Sequence, residues 1–184
     1  MKDPSEIIRR QGYAVLDVEP DLGADPPRPG YAITIGLIER GQSNLLILGL
    51  PSPMSRMILA TLAEHGLNHD PLPLNAPLAG FFEGLEPVLR PLDESSAAAW
   101  LNHPPPLDAT PIGRSIAGSA AGSINGSVGW SKAQQLHGWA SSGSLPGDRS
   151  RLLQVVWPDA SGHYPWEAEF DDALRPAQPL LGSN

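Results

Sequence analysis

Leu152-Leu153-Gln154-Val155-Val156-Trp157-Pro158-Asp159-Ala160-Ser161-Gly162-His163-Tyr164-Pro165-Trp166 is the stretch whose reading decides the fold. Leu152 to Val156 is rich in β-branched and aliphatic residues, the composition of a strand pressed into a core. Pro158 fixes its own φ and lacks an amide hydrogen, so the strand stops there. Asp159, Ser161 and Gly162 are turn formers, and the chain reverses to return through Tyr164-Pro165-Trp166. Two indoles and a phenol therefore meet at one corner of the molecule.

Working outward, a buried strand needs neighbours, and the first half of the chain supplies them. Tyr31-Ala32-Ile33-Thr34-Ile35-Gly36-Leu37 and Asn44-Leu45-Leu46-Ile47-Leu48-Gly49-Leu50 are separated by a glycine-containing loop of hairpin length. The second is apolar at nearly every position, which predicts a central strand covered on both faces. Gly36 and Gly49 mark a bulge or a place where another backbone comes close. Asp3-Pro4-Ser5-Glu6 has the pattern of a capped helix start, with a short helix ending at Gly12 and a strand from Tyr13 to Glu19 behind it. Pro20 to Gly30, with its four prolines, reads as a surface loop.

Pro51-Ser52-Pro53 predicts a helix opening, with Ser52 as cap, a stripe at Met54, Met57, Ile58, Thr61 and Leu62, and a stop at Gly66. Backbone amides at such a start, with Ser52 and Arg56 beside them, form a candidate anion site. His65 and His69 are four apart, but a helix broken at Gly66 would separate them, so no metal site is expected. Leu67 to Ala79 is a proline-punctuated loop. Gly80 to Phe82 and Leu85 to Arg90 read as further strand, with Pro87 pointing to a sheet edge or a bulge. Asp93 to Leu101 and Trp130 to Trp139 read as helices. Between them, residues 103–129 form a Gly/Ser/Pro-rich insertion with little to bury, expected to be flexible and to serve as a lid if it has a role.

The expected fold is a single α+β domain over residues 1–184, a mainly antiparallel sheet with helices packed against it. A chain of 184 residues buries enough apolar surface to hold such a domain without staples, and the absence of cysteine excludes disulfides and thiolate metal sites. No signal-type or membrane-spanning run is present, which predicts a soluble cytoplasmic protein with no membrane partner. Twelve basic residues against twenty acidic ones give a net charge of -8, the wrong sign for a nucleic-acid backbone. Twenty-one prolines and nineteen glycines favour turns and strand ends over long helices.

The Tyr13–Glu19 strand, Tyr31-x-Ile33-Thr34-Ile35-Gly36-Leu37, the strand ending Gly49-Leu50 and above all Leu153-Gln154-Val155-Val156-Trp157-Pro158-Asp159-x-x-Gly162-x-x-Pro165-Trp166 resemble the bacterial proteins grouped as domain of unknown function 4262. Phe170 and Gln178-Pro179-x-Leu181-Gly182 extend the resemblance. It implies a small α+β domain and no settled activity. The family commonly carries an acidic residue ahead of the second hairpin strand, where this chain has Ser43-Asn44, so no carboxylate role carries over there. The hairpin followed by a helix is also distantly similar to suppressor-of-fused-type domains, which include immunity proteins.

Candidate chemistry gathers at the corner. Asp159 and His163 flank one turn and form a candidate acid/base pair, with Tyr31 as a further proton-transfer candidate. Asp before Ser-Gly also caps its own turn, and that plain role is expected to prevail. Thr34, Trp157, Tyr164 and Trp166, together with Ser52 and Arg56, are the ligand-binding candidates. Tyr31 and Thr34 are an odd number of residues apart and face opposite sides of their strand. The expectation is a binding or accessory protein, without cofactor or metal, holding a small molecule or peptide in a cleft between the Trp157–Trp166 corner and the Tyr31–Gly36 strand. The alternatives are a cofactor-free enzyme of small-molecule metabolism using Asp159, His163 or Tyr31, and a protein-interaction module such as an immunity protein. An enzyme requires polar groups converging on a titratable residue in a pocket; a binder requires apolar walls without them.

Overall fold

The structure, a computed structural model, describes residues 4–92 and 152–181. The expected helices at Asp93–Leu101 and Trp130–Trp139 and the Gly/Ser-rich segment at 103–129 lie outside the described residues. Helix α1 (Pro4–Gln11) leads into β1 (Ala14–Val18), β2 (Tyr31–Ile35), a 3-10 turn (Leu37–Arg40), β3 (Asn44–Leu48), α2 (Ser52–Asn68), β4 (Val88–Pro91) and β5 (Leu152–Val156). The strands form one sheet in the order β1-β2-β3-β5-β4. All neighbours are antiparallel except β3 and β5, which run parallel with Asn44 opposite Leu152 and Ile47 opposite Val155. The architecture is thus α+β.

The apolar run of β3 explains its place: all five residues are buried, and their alternation feeds two cores. Leu45 and Ile47 join Ala32, Leu153 and Val155 beneath α2, while Leu46 and Leu48 join Ile33, Leu152, Leu92 and Leu181 on the other face. The β2–β3 connection is tighter than a plain hairpin loop. Gly36 adopts a left-handed conformation (φ 98°) to start the 3-10 turn, and the Asn44 Oδ1 accepts the Leu37 N–H at 3.3 Å to close it. Gly49 (φ 75°) does what a strand glycine permits: a Cβ there would stand 2.2 Å from the Ala177 carbonyl oxygen, so the C-terminal segment lies directly on it.

Two expectations for α2 are corrected. The helix begins at Ser52 after Pro51 rather than being capped by Ser52, which is exposed and makes no side-chain cap bond. It also runs through Gly66 to Asn68, because Ile58, Leu59, Leu62 and Ala63 anchor it on the sheet and a lone glycine costs a helix only about 1 kcal/mol. The buried stripe is therefore Ser55, Ile58, Leu59, Leu62 and Ala63, and Met54 and Met57 point outward. Pro87 precedes an edge strand, as expected, and the outer side of β4 is partly covered where Asn75 and Leu78 donate their amides to the Leu89 and Pro87 carbonyls. Gly80–Phe82 forms only an isolated bridge, Phe82 with Leu85. Among the described residues no helix is long and apolar enough to cross a membrane.

Candidate functional site

The strand-to-turn stretch folds as its residues dictate, and its polar atoms are consumed in doing so. The Trp157 side chain is buried, and its Nε1–H donates to the Leu48 carbonyl at 2.9 Å, tying β5 to β3. Gln178, also buried, brackets the Trp157 backbone: its Oε1 accepts the Trp157 N–H at 2.7 Å and its Nε2 donates to the Trp157 carbonyl at 2.8 Å. Gln154 does the same for the C-terminal segment, donating to the Pro179 carbonyl at 2.8 Å and accepting the Leu181 N–H at 3.0 Å. These two glutamines pin residues 178–181 against the sheet.

Asp159 is a turn organiser. Its Oδ1 accepts the amides of Ser161 (2.8 Å) and His163 (3.0 Å), and its Oδ2 accepts the amide of Asp171 (3.0 Å). Desolvation raises its pKa, but the three backbone donors and the neighbouring His163 outweigh it and hold the carboxyl below its ordinary value. His163 Nδ1 stands 3.9 Å from Oδ2, outside hydrogen-bond reach, and has no hydrogen-bond partner among the described residues. The two side chains thus face each other across one turn, with the Asp159 carboxylate already engaged by backbone amides.

Beyond the turn, Tyr164 and Trp166 stack with centroids 4.8 Å apart and planes 5° from parallel, and the Arg90 guanidinium of β4 lies 5.1 Å from the Trp166 ring. The Tyr164 hydroxyl donates to the Glu86 carbonyl at 2.7 Å. Desolvation, Glu86 and Glu167 together push its pKa up. Arg175 donates to the Pro165 and Glu167 carbonyls and to Asp172 Oδ1, fixing the chain beyond the stack. Trp166 remains 42% exposed.

The remaining sequence candidates separate. Thr34 is fully buried on the α2 face, where its Oγ1 accepts the Leu45 N–H at 2.8 Å, and Tyr31 packs into the opposite core. Burial pushes the Tyr31 phenol up to about 12, partly offset by Arg28. Arg56 forms an ion pair with Asp17 of β1, the Ser55 hydroxyl donates to the Leu50 carbonyl at 3.2 Å, and Ser52 is exposed at the start of α2. His65 and His69 stay together after all, their rings 4.7 Å apart, because α2 continues past Gly66. Among the described residues no group of three or more His, Cys, Asp or Glu side chains could hold a metal.

A cleft of about 160 Å³ opens away from the corner, under the C-terminal half of α2. Leu62, Ala63 and Gly66 form its roof, Leu45, Leu89 and Leu153 its floor. Leu37, Gln42 and Ser43, with Pro71, Leu72 and Leu74, complete the lining. None of these residues is titratable. Gly66 opens the cleft: a Cβ at this position would meet nothing closer than the Gln42 Oε1, at 3.8 Å, so neither backbone strain nor a tight contact requires the glycine. Sequence reasoning missed this site. The one available signal was a glycine four residues after Leu62, on the core face of a helix, which was read as a stop.

The chain belongs to the family described as domain of unknown function DUF4262, whose model matches residues 7–103. That span holds β1 to β4 and α2 with most of the cleft, and ends before the β5 stretch. No curated protein and no solved structure matches the chain.

Proposed function

We propose that the chain is a non-catalytic cytoplasmic binding protein that holds a small apolar ligand, or the apolar end of a larger one, in the cleft under α2. Gly66 carries this reading. A glycine in a helix interior costs about 1 kcal/mol relative to alanine, and here the fold does not need it; what it provides is open space between leucines. The volume suits one aromatic ring or branched aliphatic group, since apolar cavities of about 150 Å³ take up benzene. Walls that hold no titratable group among the described residues favour a binder over an enzyme. At the corner, Asp159 is occupied by backbone amides and Trp157 is buried, which weighs against the cleft expected there.

The test is an amide chemical-shift titration of the full chain with toluene, wild type against Gly66→Leu. Leucine keeps the helix and extends into the cleft. The expected result is saturable shifts in Leu62–Leu67 and Leu72–Leu74 of the wild type and none in a Gly66→Leu protein of equal or higher melting temperature. Absence of those shifts in the wild type, or their survival in the filled variant, removes the reading.

A further inference from the structure

The cleft is not wholly apolar. Gln42, which follows the 3-10 turn, brings its carboxamide to the end of the cleft beside Gly66. The Gln42 backbone amide is occupied, donating to the Leu37 carbonyl at 3.0 Å. Its side-chain amide has no partner among the described residues. This contrasts with Gln154 and Gln178, each of which spends both ends of its carboxamide on backbone groups. Among the described residues no Lys, Arg, His, Asp or Glu lines the cleft, so none of them offers an anion or a cation a counter-charge, and the net charge of -8 further disfavours anions.

Resting on the cleft being the binding site, we infer that its ligand class is neutral amphiphiles, with an apolar body the size of a ring or branched chain and one uncharged end that both donates and accepts hydrogen bonds, and that Gln42 is the specificity-determining residue. A primary amide fits that end best, because its N–H cis to the carbonyl lets it pair with the Gln42 carboxamide through one donor and one acceptor on each side, which a trans secondary amide cannot do. A hydroxyl would use only one of the two bonds at a time. A charged end would lose water without a charged partner, and that desolvation costs more than the single hydrogen bond returns.

Three probes of one ring size separate the elements of this inference: toluene, benzamide and benzoate, titrated by amide chemical shift into wild type, Gln42→Met and Gly66→Leu. Methionine matches glutamine in length and removes only the polar end. Wild type is expected to bind benzamide about fivefold more tightly than toluene and benzoate most weakly, a ratio set by one or two neutral hydrogen bonds. Gln42→Met should bring benzamide down to the toluene level or below while leaving toluene unchanged or improved. If toluene binds the wild type and Gly66→Leu blocks it, but the benzamide-to-toluene ratio is the same in Gln42→Met, the cleft stands and the assignment to Gln42 is overturned. Benzoate binding as tightly as benzamide overturns the neutral-ligand class. If no probe perturbs the cleft amides of the wild type, the cleft reading and this inference fall together.

Discussion

The corner after β5 and the cleft under α2 are built on opposite terms. At the corner, polar and aromatic groups are dense, and nearly all are engaged with each other: Asp159 with three amides, Gln178 with both sides of Trp157, Tyr164 with the Glu86 carbonyl and Trp166. In the cleft the side chains are ordinary leucines, and the distinguishing features are a missing side chain at Gly66 and an unengaged carboxamide at Gln42. A crowd of chemically rich residues can be the means by which a chain end is locked down. Room for a ligand is left where packing is incomplete, since interiors are otherwise filled to crystal density.

The contrast breaks or sharpens under substitution. The largest effect is expected for Gln178→Leu, which leaves the buried Trp157 amide and carbonyl unpaired and should cost about 3 kcal/mol in urea unfolding, at about 1–3 kcal/mol for each stranded group. Gln42→Met should stay within about 0.5 kcal/mol of wild type in the same measurement, as a partly buried side chain without a hydrogen-bond partner among the described residues should. Equal losses in the two variants would erase the distinction.

Alkaline titration probes the face of the sheet beneath the pinned C-terminal segment. The folded Tyr31 phenol holds its proton to about 12 against its ordinary value of 10.0, so the unfolded chain releases that proton first. Stability is whole below pH 10, and falls as pH rises toward 12, by about 2 kcal/mol for Tyr31. Tyr13, pushed up to about 12 by burial and by Glu64, adds to the slope. Tyr31→Phe should flatten the decline, read as the change in urea midpoint between pH 9 and 11.5; an unchanged slope would place Tyr31 in a more solvated setting. The smallest effect is expected at the stack: Trp166→Ala should cost about 1 kcal/mol and leave toluene binding in the cleft intact. Loss of that binding in a folded Trp166→Ala protein would return the site to the corner.

Much of the fold was legible because its determinants are local. The unbroken apolar run of β3 announces a central strand, Pro158 ends β5, and Asp159-Ala160-Ser161-Gly162 forms the turn its residues favour. The site was not legible. Gly66 reads as a stop because glycine is common at helix ends, yet its cost is small and the burial of Leu59, Leu62 and Ala63 overrides it. The α2 stripe was read one residue out of phase at its start, since Met54 and Met57 are apolar enough to pass for core. Gln154 and Gln178 act on backbone groups 21 to 27 residues away, and the cleft is a void framed by α2, the turn before β3, the 71–74 loop, β4 and β5. Voids are set by the mutual placement of distant segments, and no single stretch encodes one.

The parallel pairing of β3 with β5 has a bearing on how the molecule comes into being. The two strands lie side by side, but residues 49 to 151 are made between them. During synthesis β1, β2 and β3 can join as soon as they emerge, while the other edge of β3 waits for β5. For that interval a growing chain carries five consecutive apolar or amide side chains on a strand with one open edge, the arrangement most prone to pair with a wrong partner. The two clamping glutamines, Gln154 and Gln178, are also made after β3, so the sheet is fastened only once residues 152–181 are out. That edge of β3 stays open until residues 152–156 have emerged.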